Sequence, residues 1–230
     1  MSPQRLLGDE RGFTLTELLV TMLVGIVVLG GVVTLVTVTA ASSGRISERV
    51  AANQLARPQM ARVMNELHSA CISPGLAPIL AGSTSDSISF IHGTGSAVAP
   101  TPVKRTIAVS GGMMTDTTYL KTGGTAPDWT FSATPDKTYR LLERVGQIGT
   151  TPIFRYYGYE NGAISQTPLP VPLSATDAAR AVQVTISVAI APTQSGTSDE
   201  EGAPIELTNS ALVRFSPSNE DTEQAGLPCT

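Results

Sequence analysis

The stretch Arg11-Gly12-Phe13-Thr14-Leu15-Thr16-Glu17 (RGFTLTE) stands directly before a long apolar segment. After Glu17 the sequence contains no Asp, Glu, Lys or Arg before Arg45, and residues 18–41 consist of Leu, Val, Ile, Ala, Met, Gly and a few Thr. At ~1.5 Å per residue, a helix of these residues is about 36 Å long, which is enough to cross a hydrocarbon core of roughly 30 Å. The sequence therefore predicts a membrane-spanning helix with a carboxylate at its N-terminal end.

Two interpretations of this N-terminus need nothing beyond the membrane segment. In the first it is a secretory signal peptide, with Val38-Thr39-Ala40 as a small-residue cleavage site, although an apolar core of ~7–15 residues is usual. In the second it is a plain signal anchor, where Thr14 and Glu17 form a capping box that starts the helix. Basic residues flank both ends of the segment, so charge counting does not orient it.

A third interpretation rests on resemblance. Gly12 followed by Phe13-Thr14-Leu15-Thr16-Glu17 and the apolar run resembles the N-terminal signature of type IV prepilins and of type II secretion pseudopilins. The resemblance implies cleavage after Gly12 by a prepilin peptidase on the cytoplasmic face, N-methylation of Phe13, and assembly through the mature helix. The leader departs from a purely basic one, because Asp9 and Glu10 accompany Arg5 and Arg11.

The prepilin interpretation gives Glu17 a physical role. A charge at mid-membrane costs on the order of 2.5–3.5 kcal/mol, and less near the edge, so Glu17 needs a compensating partner. Cleavage after Gly12 creates an α-amino group at Phe13, one helical turn or ~6 Å before Glu17. We expect Glu17 to pair with that amino group, and our hypothesis is that the pair forms between neighbouring subunits and sets their register.

An amphipathic continuation of the helix is predicted over residues 42–73. Its apolar positions recur mostly at helical spacing, and they are Ile46, Val50, Met60, Val63, Met64, Leu67 and Cys71. Charged residues, including Arg62 and Glu66, are expected on the remaining faces. Pro58 predicts a kink or break near Arg57, and Pro74-Gly75 predicts the end of the helix.

The remainder of the chain reads as strands separated by Gly, Pro, Ser and Thr. The predicted strands cover residues 86–92, 105–109, 113–120, 139–145, 182–190 and 205–215. Residues 182–190 alternate strictly, which predicts a half-buried antiparallel strand, and 205–215 could return beside it. We expect residues 193–204 to form a polar hairpin tip. Asp199-Glu200-Glu201 lacks the alternating ligand spacing of a calcium loop.

Three further stretches, Leu141–Val145, Pro152–Tyr157 and Ala181–Ile186, resemble in their order the C-terminal sheet of large minor pilins and J-like pseudopilins. The aromatic residues Phe154, Tyr156, Tyr157 and Tyr159 fit packing under a loop, with a contact surface as the alternative. This resemblance implies an α+β, pilin-like domain.

Cys71 and Cys229 are the two cysteines, and both lie outside the apolar segment. In an oxidising compartment they could pair, and the alternative is two buried free thiols. A bridge would tie the C-terminal tail to the end of the long helix. It would close a loop of roughly 150 residues, for which the chain-entropy model gives about 5 kcal/mol.

Several functional classes lack a signature. His68 and His92 have no partner at a metal or triad spacing, so each is expected at the surface or a helix end. We therefore expect no catalytic residues, no metal site, no cofactor and no enzymatic activity. A net charge of −4 with scattered Lys and Arg gives no expectation of direct nucleic-acid binding.

Together these patterns predict an α+β protein with a kinked N-terminal helix packed on a C-terminal antiparallel sheet. The expected divisions are a leader (1–12), a transmembrane or assembly helix (13–41), its amphipathic continuation (42–73) and a β-rich domain (74–230).

The resemblance implies a minor pilin-like structural subunit, with a secretion pseudopilin or a competence pilin for DNA uptake as alternatives. Expected partners are prepilin peptidase, other pilin or pseudopilin subunits, an inner-membrane assembly platform, and membrane lipid before assembly. The expected location is the cell membrane, with the C-terminal domain outside the cytoplasm, and then the filament. A single-pass anchored surface-binding domain is the alternative outside this class.

Overall fold

The computed structural model describes residue 12 and residues 14–71, 75–95, 100–191 and 204–213, with the side chains of residues 45–49 outside that description. The chain divides into two units, Met1–Ser47 and Glu48–Thr230. Helix α1 runs from Leu15 to His68, and antiparallel strands follow it, so the α+β, pilin-like architecture is confirmed.

The first unit is built around the apolar part of α1. Leu15–Gly44 is the one helical segment, within the described residues, that is long and apolar enough to cross a membrane. None of its apolar window is buried inside the protein. The helix is therefore stabilised here by its own backbone hydrogen bonds, and its side chains are available to lipid or to other helices.

In the second unit, α1 continues through Pro58, so the predicted break is wrong, while the alternative of a kink stays a prediction. Pro58 is exposed, while Ala56, Met60 and Val63 on the opposite face are buried in the core. Packing of that face offsets the hydrogen bond that proline cannot donate. The predicted apolar face is correct at Met60, Val63, Met64 and Leu67, whereas Val50 is 47% exposed.

The helix ends at His68, before the boundary expected at residue 73. Sequence leaves this end ambiguous because Cys71 continues the helical spacing of apolar residues. In the structure Ala70 forms a bridge with His92, and the Cys71 N–H donates to the Ile91 carbonyl at 2.8 Å. Pairing with a strand thus replaces the last expected helical turn.

The first sheet has five antiparallel strands in the order β1-β2-β3-β4, and β5 also pairs with β3. Its strands are β1 (Ser87–Gly95), β2 (Pro100–Ser110), β3 (Met113–Gly123), β4 (Thr130–Phe131) and β5 (Lys137–Glu143). The predicted strand 139–145 is split at Arg144, whose φ of 55° lies in the left-handed region. Its last residues form β6 (Val145–Gly146), which belongs to the other sheet.

The second sheet has the order β10-β9-β7-β8, and β6 pairs with β9. Its further strands are β7 (Phe154–Glu160), β8 (Ala163–Ile164), β9 (Ala181–Ile190) and β10 (Ile205–Leu212). The pairing of β10 beside β9 is confirmed, and the structure has two sheets where one was expected. Residues 192–203, which include most of the predicted hairpin tip, lie outside the described residues.

Strand β9 is buried on both faces, so the prediction of a half-buried strand is wrong. Val184, Ile186 and Val188 enter the main core, as predicted. On the opposite face Thr185 and Ser187 are also buried. Their hydroxyls make cross-strand hydrogen bonds of 2.8 Å to Ser210 and 3.1 Å from Thr208, which satisfy the polar atoms without water.

A short helix, α2 (Ala175–Arg180), leads into β9 and was not predicted. Its N-cap is Ser174, whose hydroxyl accepts from the Asp177 N–H at 3.0 Å. Hydrogen bonds from Ser174 and then from Arg180 lower the pKa of Asp177. The Ser-x-x-Asp spacing is a capping signature that could have revealed this helix.

Candidate assembly site

The N-terminal site begins at an exposed glycine. Nothing among the described residues lies within 4 Å of the position that a Cβ on Gly12 would occupy, so the space on that side of the backbone is open. Phe13 lies outside the described residues. Helix α1 begins at Leu15, so Gly12 lies three residues before its first residue.

Glu17 stands in the first turn of α1 and is exposed. Its N–H donates to the Thr14 carbonyl at 3.0 Å and to the Thr14 hydroxyl at 3.3 Å, which is the first half of the expected capping box. The carboxylate also lies at the positive end of the helix dipole, where a negative charge is favoured. Both the anchor interpretation and the prepilin interpretation are compatible with this geometry.

The surface beyond Glu17 is apolar all round. Leu18, Leu19, Leu23, Ile26 and Leu35 are each at least half exposed, and the other large apolar side chains as far as Val38 behave alike. The threonine hydroxyls within the segment donate to carbonyls of their own helix, for example Thr34 to Gly30 at 2.8 Å. The segment thus presents hydrocarbon with its polar groups already satisfied.

Residues 8–33 match the family model of the prokaryotic N-terminal methylation motif. The match covers the glycine, the phenylalanine, the glutamate and the first half of the apolar helix. This motif supports a type IV pilin-like N-terminus. No curated protein and no solved structure matches the chain significantly.

The pilin-like motif implies processing by prepilin peptidase and assembly with other pilins in general terms. With its apolar helix, it points to membrane anchoring. Gly12 precedes α1 and Glu17 lies in its first turn, and their roles in cleavage and assembly stay predictions.

The folded unit that begins at Glu48 contains a cluster of charged side chains that sequence reasoning missed. Arg105 on β2 contacts the carboxylates of Glu66 on α1 and Asp116 on β3, and its Nε lies 3.2 Å from Asp116 Oδ1. Arg62 adds longer contacts, of 3.9 Å to Glu66 and 4.0 Å to Asp116. The cluster joins the second half of the helix to the first sheet.

Burial makes this cluster electrostatically strong. Asp116 is 1% exposed and Arg105 8% exposed. Burial alone would lower the pKa of Arg105, but the hydrogen bonds and charges of Asp116 and Glu66 together raise that pKa above its ordinary value. Each carboxylate that faces Arg105 would be left in a poorly solvated position without it.

A period-two pattern could have revealed the cluster. Val103, Arg105 and Ile107 alternate along β2 and are all buried, and Met114 and Asp116 do the same along β3. The two strands were predicted, but the inward direction of their charged residues was not inferred.

His92 contacts the same cluster and is half-buried beside the end of α1. Its Nε2 lies 3.4 Å from Glu66 Oε2, and its Nδ1 lies 3.2 Å from the Ser69 carbonyl. The β1 register brings it beside the end of α1, which spacing along the chain could not show. His68, the last residue of α1, is exposed as expected.

Cys71 is buried and packs with Leu76 and Ile91 in a small apolar cluster next to the helix end. Cys229 lies outside the described residues, so the disulfide stays a prediction. Among the aromatic residues, Phe154 and Tyr156 are core residues, whereas Tyr159 is 42% exposed. The packing interpretation is thus confirmed for the first two.

Proposed function

We propose that this protein is a minor pilin-like structural subunit of a type IV pilus or a related filament. In this proposal prepilin peptidase cleaves after Gly12, Phe13 is methylated, and the mature subunit assembles through its N-terminal helix. The observation that carries the proposal is the joint presence of the methylation motif and an apolar helix that its own protein leaves uncovered.

The apolar helix would act first as an anchor and then as an assembly surface. Before assembly, membrane lipid covers its side chains. After extraction by an inner-membrane assembly platform, the same side chains must be buried against other pilin subunits, because exposure to water is unfavourable. The same segment therefore serves first as the membrane anchor and then as the assembly helix.

Glu17 would fix the position of one subunit along the filament relative to its neighbour. The new α-amino group of one subunit pairs with Glu17 of its neighbour, which neutralises a carboxylate that would otherwise enter an apolar environment alone. The exposed position of Glu17 supports this use, because the carboxylate is accessible to a second chain.

The folded unit that begins at Glu48 contains two sheets, and it suits a minor, tip-located or initiating subunit better than a repeated major one. The chain orientation that goes with this role places the folded unit outside the cytoplasm.

A secretion pseudopilin and a competence pilin share the same helix and remain alternatives within the class. The net charge of −4 favours protein contacts over direct contact with DNA.

Outside this class, the same features support a single-pass anchored binding domain that never polymerises. It would keep its N-terminus uncut, and Glu17 would serve as a helix cap. Both functions are structural rather than enzymatic.

The test compares Glu17→Gln with Glu10→Gln in the native host. Each removes one N-terminal carboxylate, but residue 10 would be lost with the leader. We expect the amount of the Glu17→Gln variant in the sheared filament fraction to fall at least about tenfold, while its amount in the membrane stays unchanged. The reason is the loss of an ion pair that lies in an apolar environment. The Glu10→Gln variant should match the unmodified protein. Normal incorporation of Glu17→Gln would contradict the intersubunit pair, and an unmodified protein that never enters filaments would contradict the proposed function.

A further inference from the structure

The outer face of the first sheet is the side that turns away from the main core. Arg105 and Ile107 on β2 are buried, so Lys104 and Thr106, which alternate with them, lie on the opposite face. Both of these residues are half-buried. The strand register places Tyr119 of β3 directly opposite Lys104, so the two side chains are neighbours on the outer face.

Two lysines on this face are positioned by aromatic rings. The Nζ of Lys104 lies 4.3 Å from the centre of the Tyr119 ring. Lys121 follows Tyr119 by two residues and shares its face, and its Nζ lies 6.0 Å from the centre of the Trp129 ring. In the described part of the chain no carboxylate lies within 4.0 Å of either ammonium group. The rings attract the cations but leave N–H donors for an anionic acceptor.

A row of hydroxyl side chains crosses the sheet beside the lysines. Ser89, Thr106, Thr117 and Thr138 stand opposite one another on β1, β2, β3 and β5. The hydroxyls of Ser89 and Thr106 share a hydrogen bond of 2.8 Å, and those of Thr117 and Thr138 share one of 3.3 Å. Groups fixed in advance lose little conformational freedom when a ligand binds them.

The spacing of the two lysines favours a ligand with repeated negative charges. Lys104 and Lys121 are one strand apart, or about 5 Å, and two residues apart along the strand, or about 7 Å. Their Cα atoms are therefore separated by about 8 Å. A polymer that carries an acid group on successive units can reach both cations, whereas a single small anion reaches one.

We propose that the outer face of the first sheet binds an anionic polysaccharide. Its carboxylates accept from the ammonium groups of Lys104 and Lys121, and its hydroxyls bind the row of Ser and Thr side chains. Single-stranded nucleic acid fits less well, because it relies on stacking of bases on aromatic rings, and lysines already lie over the rings of Tyr119 and Trp129. This inference is independent of the filament proposal, because it concerns the folded unit alone.

The test titrates the full-length protein in detergent with a short oligogalacturonate. Calorimetry gives the affinity, and the fluorescence of Trp129, the one tryptophan of the chain, locates the ligand. The comparison ligands are the methyl-esterified oligomer, which has the same sugars without the charge, and oligothymidylate. The variants are Lys104→Gln, Lys121→Gln and Lys104→Arg. Lys137→Gln is the matched control, because Lys137 is exposed and pairs with Thr118 on the opposite face.

We expect the oligogalacturonate to bind and to change the emission of Trp129. Lys104→Gln and Lys121→Gln should each weaken its binding about tenfold, because each removes a hydrogen bond between charged groups. Lys104→Arg, which keeps the charge, and Lys137→Gln should bind like the unmodified protein. The methyl-esterified oligomer and the oligothymidylate should each bind at least about tenfold more weakly.

Absence of oligogalacturonate binding to the unmodified protein would overturn the proposal. Equal binding of the methyl-esterified oligomer, or equal losses in Lys104→Arg and Lys104→Gln, would show that charge does not select the ligand. A loss in Lys137→Gln as large as in the other two glutamine variants would show that the outer face is not the site. Tighter binding of oligothymidylate would assign the face to nucleic acid instead.

Discussion

At the scale of single residues, Arg105 has the largest expected effect on stability. It stands between Glu66 and Asp116, and removing it leaves two carboxylates near the core without their common cation. We expect Arg105→Met to lower the free energy of unfolding by about 3–5 kcal/mol. Urea unfolding of the full-length protein in detergent would measure the loss.

The matched control is Arg140→Met, which removes a cation from an exposed pair with Glu143. Its expected cost is below about 0.5 kcal/mol, because solvent screens exposed pairs. A loss of less than about 1 kcal/mol for Arg105→Met would contradict the strong coupling assigned to this cluster.

Tyr156 should give the protein an alkaline dependence of stability. Burial raises its pKa well above the ordinary value, and its hydroxyl proton is shared between the carbonyls of Thr84 and Ser87. Above about pH 10 the unfolded chain loses this proton while the folded chain keeps it, so stability is present below that pH and falls above it. The expected slope is ~1.4 kcal/mol per pH unit.

The comparison is with Tyr156→Phe, which should lose about 1 kcal/mol near pH 7 with its hydrogen bond and should show a shallower slope between about pH 10 and 12. Chemical unfolding across that range measures both. Equal alkaline slopes in the two proteins would show that Tyr156 is not the group responsible.

At the scale of elements, helix α1 shows what local sequence can and cannot decide. Its start at the Thr14 cap and its apolar face at Met60, Val63 and Leu67 follow from propensity and periodicity. Its continuity through Pro58 does not, because that depends on a core contributed by distant strands. The burial of both faces of β9 has the same origin, since β7 and β10 supply the groups that satisfy its polar side chains.

Pro58 is therefore a local defect in a helix maintained by packing. Pro58→Ala restores the missing backbone donor at an exposed position, and it should raise the free energy of unfolding by about 1–3 kcal/mol. Thermal unfolding of the full-length protein measures the change. A decrease in stability would show that the proline fits a bend that the folded unit requires.

At the scale of the whole molecule, the order of elements follows from the sequence more closely than their partners do. The strands lie close to the predicted ranges, but the run 139–145 serves two sheets, because Arg144 adopts a positive φ and redirects the chain. The charged cluster was missed for a related reason. Arg105, Glu66 and Asp116 are far apart in sequence, and only strand register and helix packing bring them together.

The predicted disulfide between Cys71 and Cys229 acts at this scale, since it would close most of the folded unit into one loop. Protein purified from the native membrane should show no reactive thiol after denaturation without reductant. Reduction should then lower the free energy of unfolding by up to about 5 kcal/mol. Two titratable thiols before reduction would rule the bridge out.

The mass of the N-terminal peptide from the natively expressed protein shows whether the chain is processed as a prepilin. We expect a chain that begins at Phe13 and carries one added methyl group, because residues 8–33 match the methylation motif. An uncut chain beginning at Met1 or Ser2 would contradict processing and make Glu17 the cap of an ordinary anchor. A chain beginning at Ala41 would contradict the account entirely and describe a secreted domain without its helix.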